Sequence, residues 1–135
     1  MADAQAVLDT NVLVSGLLSP YGPPGQLIDA LLSRRLKIAY DDRLLLEYKA
    51  VLHRPRFDFD PRSLKAVFGI LLFQNRINAE PWPFRPSPDA NDTMFLEVAS
   101  GAGLPLVSGN ARHFPPKCRG DVTLMTPAEF LASAF

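Results

Sequence analysis

Ala6-Val7-Leu8-Asp9-Thr10-Asn11-Val12-Leu13-Val14 is the stretch on which the fold turns. An apolar run ends in an acid, and a second apolar run with helical potential follows. A buried parallel strand delivers a carboxylate to the C-terminal edge of a sheet in this way. Asp9 would lose its hydration there, at a cost that only pairing or metal binding offsets. The rest of the chain is therefore read for groups that could meet it.

Working outward, residues 11–18 read as a short helix, which Ser19-Pro20-Tyr21-Gly22-Pro23-Pro24-Gly25 ends in a rigid turn. Leu27, Ile28, Leu31 and Leu32 recur at helical spacing and close on Arg34 and Arg35, whose charge suits a helix C-terminus. Residues 36–40 form a second strand. Asp41 or Asp42 caps a helix over 44–53, which Pro55 halts. Asp60 and Pro61 open another, with Leu64, Val67, Phe68, Leu71 and Leu72 on its apolar side.

Between Asn78 and Asn91 the prolines of Glu80-Pro81-Trp82-Pro83-Phe84-Arg85-Pro86-Ser87-Pro88 exclude a regular helix or a central strand. Too little sequence follows to bury a second core, so this is a long ordered connection within one domain over 1–135. A helix over 92–100 buries Phe95, Leu96, Val98 and Ala99, and 104–107 and 122–124 are short strands. Thr126, Pro127 and Glu129 make a capping box at the start of a last helix. Strands alternating with helices point to an α/β fold, a mostly parallel sheet covered on both faces. Right-handed crossovers then bring the strand C-termini to one edge.

Composition narrows the function classes. With 14 basic and 14 acidic residues the formal net charge is zero, so there is no basic coat for nucleic acid. A nucleic-acid substrate would have to be held by a local patch or through metal ions. No apolar run reaches membrane-spanning length, and Met1-Ala2-Asp3-Ala4-Gln5 lacks the pattern of a secretory leader. Cys118 is the only cysteine, which rules out an internal disulfide and favours a cytoplasmic setting. It reads as a small apolar filler or an incidental thiol. Proline is abundant, 13 of the 135 residues, and sits mostly in connections, which it stiffens.

Three acids could share the sheet edge. Asp9 ends the first strand, Glu47 lies at the margin of an apolar helix face made by Leu44, Leu45, Tyr48, Val51 and Leu52, and Asp92 opens the helix after the proline-rich connection. Glu47 could equally face water, and Asp92 could equally be a helix cap. Brought together, such carboxylates raise one another's pKa unless a cation intervenes. Mg²⁺ or Mn²⁺, one or two ions, suits an all-oxygen set, whereas zinc would recruit His or Cys, and His53, His113 and Cys118 lack ligand spacing. An acid-lined Mg²⁺ site is suited to phosphodiester hydrolysis.

The segment Val7-Leu8-Asp9-Thr10-Asn11-Val12-Leu13-Val14-Ser15 resembles the opening of PIN-domain nucleases, and within them the bacterial toxins of toxin–antitoxin pairs related to VapC. Leu44-Leu45-Leu46-Glu47-Tyr48-Lys49-Ala50-Val51-Leu52 is similar to that family's second acidic helix, and Pro88-Asp89-Ala90-Asn91-Asp92-Thr93-Met94-Phe95-Leu96-Glu97-Val98-Ala99 to its third acidic segment. Leu106-Val107-Ser108-Gly109-Asn110-Ala111-Arg112-His113-Phe114-Pro115 resembles its fourth motif, and Thr126-Pro127-Ala128-Glu129-Phe130-Leu131 its C-terminal helix start. The resemblance implies a three-layer α/β/α sandwich and metal-dependent cleavage of single-stranded or structured RNA. It also implies a homodimer and an antitoxin partner that occludes the active site. Asp9, Glu47 and Asp92 match the three core acids. Asn110 stands where many members carry Asp.

Asn offers a neutral oxygen, so Asn110 can orient a ligand or water but cannot neutralise a cation. Asp89 is a tentative source of the missing charge, or a helix cap. Ser108 could orient a water on the metal, and Asn11 stabilises either the turn after the first strand or the surroundings of Asp9. Arg112, His113, Arg54 and Arg56 are candidate phosphate contacts, with solvated loop residues as the plainer account. Trp82 and Phe84 suit packing of the connection better than base stacking, and Glu97 is peripheral. The function expected is a metal-dependent endoribonuclease acting as a toxin. A fold retained as an RNA- or protein-binding module, or a metal-dependent phosphatase, are the alternatives.

Overall fold

The computed structural model describes residues 4–135, so Met1 to Asp3, part of the stretch read for a leader, lie outside the described residues. Strand β1 (Ala4–Leu8) leads into helices α1 (Thr10–Leu18) and α2 (Pro23–Leu32), then β2 (Leu36–Tyr40), α3 (Asp42–Leu52) and α4 (Pro61–Leu71). Strand β3 (Asn75–Arg76), the proline-rich connection, α5 (Thr93–Ala102), β4 (Leu106–Val107), β5 (Leu124–Met125) and α6 (Pro127–Ala134) complete the order. The strands form one sheet, β3-β2-β1-β4-β5, with every pairing parallel. Helices cover both faces in an α/β/α sandwich. Helix α2 packs over β2 with α4 and α6 against it, and α5 packs over β1, β2 and β4. No helix of the described residues is long and apolar enough to cross a membrane.

The two longest strands are buried over most of their length. Ala6, Val7 and Leu8 are fully buried, as are Leu36, Ile38 and Ala39 in β2, as expected for central strands covered on both sides. α4 begins where Asp60 and Pro61 place it, with the Asp60 carboxylate accepting from the Arg62 amide. The capping box on α6 also forms: Thr126 Oγ1 accepts from the Glu129 amide, and Glu129 from the Thr126 amide.

Several boundaries differ from the sequence reading. α2 starts at Pro23, inside the stretch expected to be all turn, because a proline in a first helical turn gives up an amide that has no partner there anyway. Gly25 and Gly16 make this packing possible: a Cβ on Gly25 would lie 2.1 Å from the Pro20 carbonyl oxygen, and one on Gly16 2.5 Å from Ile28 Cγ1. α2 ends at Leu32, so Arg34 and Arg35 lie beyond its last turn, and Arg34 adopts a left-handed φ of 65°. β3 has no apolar signature. Asn75 and Arg76 are both exposed, and the Gln74 side chain continues the ladder by accepting from the Ile38 amide at 2.9 Å. β5 sits one to two residues later than expected, and Leu72 is exposed rather than on the buried side of α4.

The proline-rich connection is held by a residue first read as peripheral. Glu97 Oε2 accepts from the Trp82 amide at 2.7 Å, while Oε1 pairs with Arg43 Nη1 at 2.6 Å. Arg43 also reaches Asp41, the cap of α3. One carboxylate thus ties the connection to α5 and α3, and Trp82 packs against the core. Hydrogen bonds to a charged group contribute about 1.5–3 kcal/mol each, less for the half-exposed Arg43. Glu97→Ala is expected to lower stability by about 2 kcal/mol in urea unfolding, with Glu97→Gln recovering part of it. A loss below about 0.5 kcal/mol, the level of a neutral surface change, would show that the contact does not hold the connection.

Candidate active site

The chain leaves β1 toward β2 but leaves β4 toward β5, so the strand order reverses between these two neighbours. In an open parallel sheet, the crevice beyond the strand C-termini at such a reversal is where ligands bind. Asp9 follows β1 directly and Ser108 follows β4. Their side chains meet: Ser108 Oγ donates to Asp9 Oδ2 at 2.8 Å, and the same hydroxyl accepts from the Asn110 amide at 3.0 Å. Asp9 is only 5% exposed. Burial pushes its carboxyl above the ordinary value, and the Ser108 bond and nearby backbone amides offset only part of that.

A cleft of about 320 Å³ opens above Asp9. Glu47 from the middle of α3 and Asp92 at the foot of α5 complete its acidic side. Arg54, Arg56 and Phe57 enter from the loop between α3 and α4, and His113 from the segment after β4. Asp92 has no capping bond. Asp89 accepts from the Asn91 amide at 2.9 Å instead, so the plain account of Asp92 as a helix cap fails. Among the described residues Asp92 Oδ2 is buried without a hydrogen-bond partner, and His113 Nδ1 stands 3.4 Å from it. Its pKa is pushed up to about 6, first by burial and then by the charge of Asp9, with Asp89 and Glu47 adding to the rise and His113 opposing it.

The chain matches the PIN domain over residues 5–112, a span that holds all three acids and both arginines of the cleft. It belongs to the PIN-domain family. No protein of curated function matches it.

In this PIN domain the other candidates divide. Asn11 lines the cleft and accepts from the Gly109 amide at 3.3 Å, tying the β1 turn to the loop after β4. Ser108 lies behind the cleft, its hydroxyl committed to Asp9 rather than free for a water. Asn110 points its amide at His113, with Nδ2 2.9 Å from Nε2, and lines no part of the cleft. Asp89 serves as the cap, and Arg112 stays exposed outside the wall. Three contributors carried no sequence signal of function. Thr10, whose buried hydroxyl has no partner among the described residues, lines the cleft, and Phe57 supplies an aromatic wall. Tyr48, fully buried, donates its hydroxyl to the Leu8 carbonyl at 2.6 Å; it had looked like one more core residue.

Among the described residues, no three His, Cys, Asp or Glu side chains stand close enough to form a ready-made metal cage. The donors available are carboxylate oxygens, one of them buried and unpartnered. That set fits a hard cation which keeps its waters and takes one or two carboxylates, as Mg²⁺ does, and does not fit a closed zinc site.

Asp92 supplies a measurable pH dependence. Its folded-state pKa is raised, so its protonation favours folding below the unfolded value of 3.8, and that help is lost as pH rises through about 6. In metal-free protein, Asp92→Asn is therefore expected to be more stable than the parent at pH 7. The gain should be about 1 kcal/mol after discounting for solvent, and should vanish below about pH 4. A difference that stays constant with pH in urea titrations would mean that Asp92 is not crowded by the other acids.

Proposed function

We propose that this PIN domain is an endoribonuclease that hydrolyses RNA phosphodiester bonds with Mg²⁺ or Mn²⁺. The observation that carries the reading is the cleft itself, where acids from three separate elements face two arginines across one opening. One or two of Asp9, Glu47 and Asp92 would ligate the cation and the rest would reach it through its waters; when bound it would lower the pKa of water and stabilise the developing charge on the phosphate. Arg54 and Arg56, with no ion pair among the described residues, would hold the flanking backbone phosphates. Ser108 keeps the Asp9 carboxylate oriented, and Tyr48 holds α3 and therefore Glu47 in place.

The sequence resemblance to VapC-related proteins supports a toxin role, with an antitoxin partner and a homodimer. A second reading has its own support. The missing three-ligand cage and the neutral Asn110 favour a PIN fold that binds RNA or protein without turnover.

Partner-free protein incubated with a structured RNA pool in Mn²⁺, Mg²⁺ or chelator separates the two. Cleavage is expected only with metal, and Asp9→Asn is expected to reduce it by about a hundredfold or more. In the same series, expression without a partner should slow growth, and Asp9→Asn should relieve it. Well-folded protein that binds RNA but yields no metal-dependent product, even as Asn110→Asp, would favour the binding module.

A further inference from the structure

Past Arg54 the acidic cleft gives way to a larger cavity, about 580 Å³, between the end of α3 and the start of α4. Arg54 lines both. The floor of the cavity is apolar and aromatic, made by Leu52, Phe59, Leu64 and Phe68, with the His53 ring stacked on Phe68 at 5.5 Å. Its rim carries Lys49, Arg54 and Lys65, all exposed and none in an ion pair among the described residues. A single acid, Asp58, opposes them in the described wall.

The loop between the two spaces is built rather than slack. Two reverse turns hold it, from the Phe57 amide to the Arg54 carbonyl at 3.1 Å and from the Asp58 amide to the Pro55 carbonyl at 3.2 Å. Asp58, the last residue of the second, has a left-handed φ of 47°. As a result Phe57 lines the acidic cleft while Phe59 lines the cavity, and their rings stack at 5.2 Å and 11° across the divide. Arg56 lies over the Phe57 ring at 4.8 Å.

We infer that this cavity is a second nucleotide subsite, taking the base and phosphate of a nucleotide that flanks the scissile bond in single-stranded RNA. An aromatic floor with a cationic rim is the pairing that holds an unstacked base and its phosphate. The volume lies within the range of about 300–1,000 Å³ common for ligand pockets. Continuity through Arg54 argues for a nucleotide on the same strand as the one in the cleft, rather than a free anion or a peptide. A chain with zero net charge needs such a local patch, because it has no basic coat to hold RNA elsewhere. The assignment rests on the ribonuclease reading for the strand's identity, but not on turnover.

The test uses Asp9→Asn protein, in Mg²⁺ and in chelator, with a fluorescent single-stranded RNA of about a dozen nucleotides carrying photoreactive 5-iodouridine, long enough for both spaces. Cross-links mapped by mass spectrometry are expected on Phe59, Phe68 or His53. Lys65→Glu is expected to weaken binding about fivefold by fluorescence anisotropy, more than the equal charge change Lys117→Glu outside the cavity. Cross-links confined to the acidic cleft, equal effects of the two charge changes, or no RNA binding would overturn the subsite. The ribonuclease reading fails separately: cavity cross-links from a protein whose wild-type form cuts no RNA in metal would keep the subsite and leave a binding module.

Discussion

Burial of one carboxylate at the end of a central strand is the constraint that the molecule is arranged around. Asp9 sits where β1 stops and the sheet order reverses, and desolvation there raises its pKa. Two elements answer it. Ser108, from the neighbouring strand end, donates to Oδ2, and Tyr48, from α3, donates to the carbonyl of Leu8 just before it. The second bond also sets the rotation of α3. With Tyr48 locked inward, the preceding residue lies about 100° around the helix, which carries Glu47 from the packed face to the cleft. Burial raises the Tyr48 pKa well above the ordinary phenol value, so it stays a donor.

Charges in the rest of the protein separate into two populations. The framework cations are paired: Arg43 holds Asp41 and Glu97, and Arg76 forms a two-pronged pair with Asp42. Among the described residues the cleft arginines form no ion pair, and the Asp92 carboxyl is pushed up first by its burial and then by the charge of Asp9. Stability alone would favour the reverse, with Arg54 or Arg56 folded onto Asp9 or Asp92. Acids kept apart from nearby arginines are the signature of groups reserved for something the chain does not itself contain. The repulsion is tolerated because a continuous apolar cluster, running from Ala6 to Phe130, stabilises the fold independently of it.

What could be read from the sequence follows from where its determinants lie. β1, β2, α4 and α6 depend on local runs and caps, and all four appear where those signals place them. β3 depends on β2 and on Gln74, neither of which marks Asn75 or Arg76 as strand, so it was invisible. Glu97 looked peripheral because its partner is the amide of Trp82, a contact created only when the connection folds back on α5. At the site, Asp9, Glu47 and Asp92 were legible as acids next to apolar segments. Tyr48 was not, since a hydroxyl acting from inside the core leaves the pattern of a core residue. Ser108 was legible as a position, but its bond to Asp9 gives it a different task from the one expected.

Asn110 stands where the sequence resemblance leads one to expect an aspartate, and the geometry gives the neutral side chain a physical meaning. Its Nδ2 can only donate, so with that amide facing His113 the ring nitrogen Nε2 accepts and the neutral imidazole carries its proton on Nδ1. Nδ1 is the atom that faces Asp92 Oδ2, the carboxylate oxygen with no other partner. An aspartate at the same place would accept from Nε2 instead, favouring the doubly protonated, cationic ring, and would add a fourth negative charge beside acids that already repel one another. Asn110 therefore places no charge beside His113 and leaves its Nδ1 directed at Asp92. The substitution weakens the attraction for a cation, yet it also removes the repulsion that a fourth acid would impose on the metal-free fold.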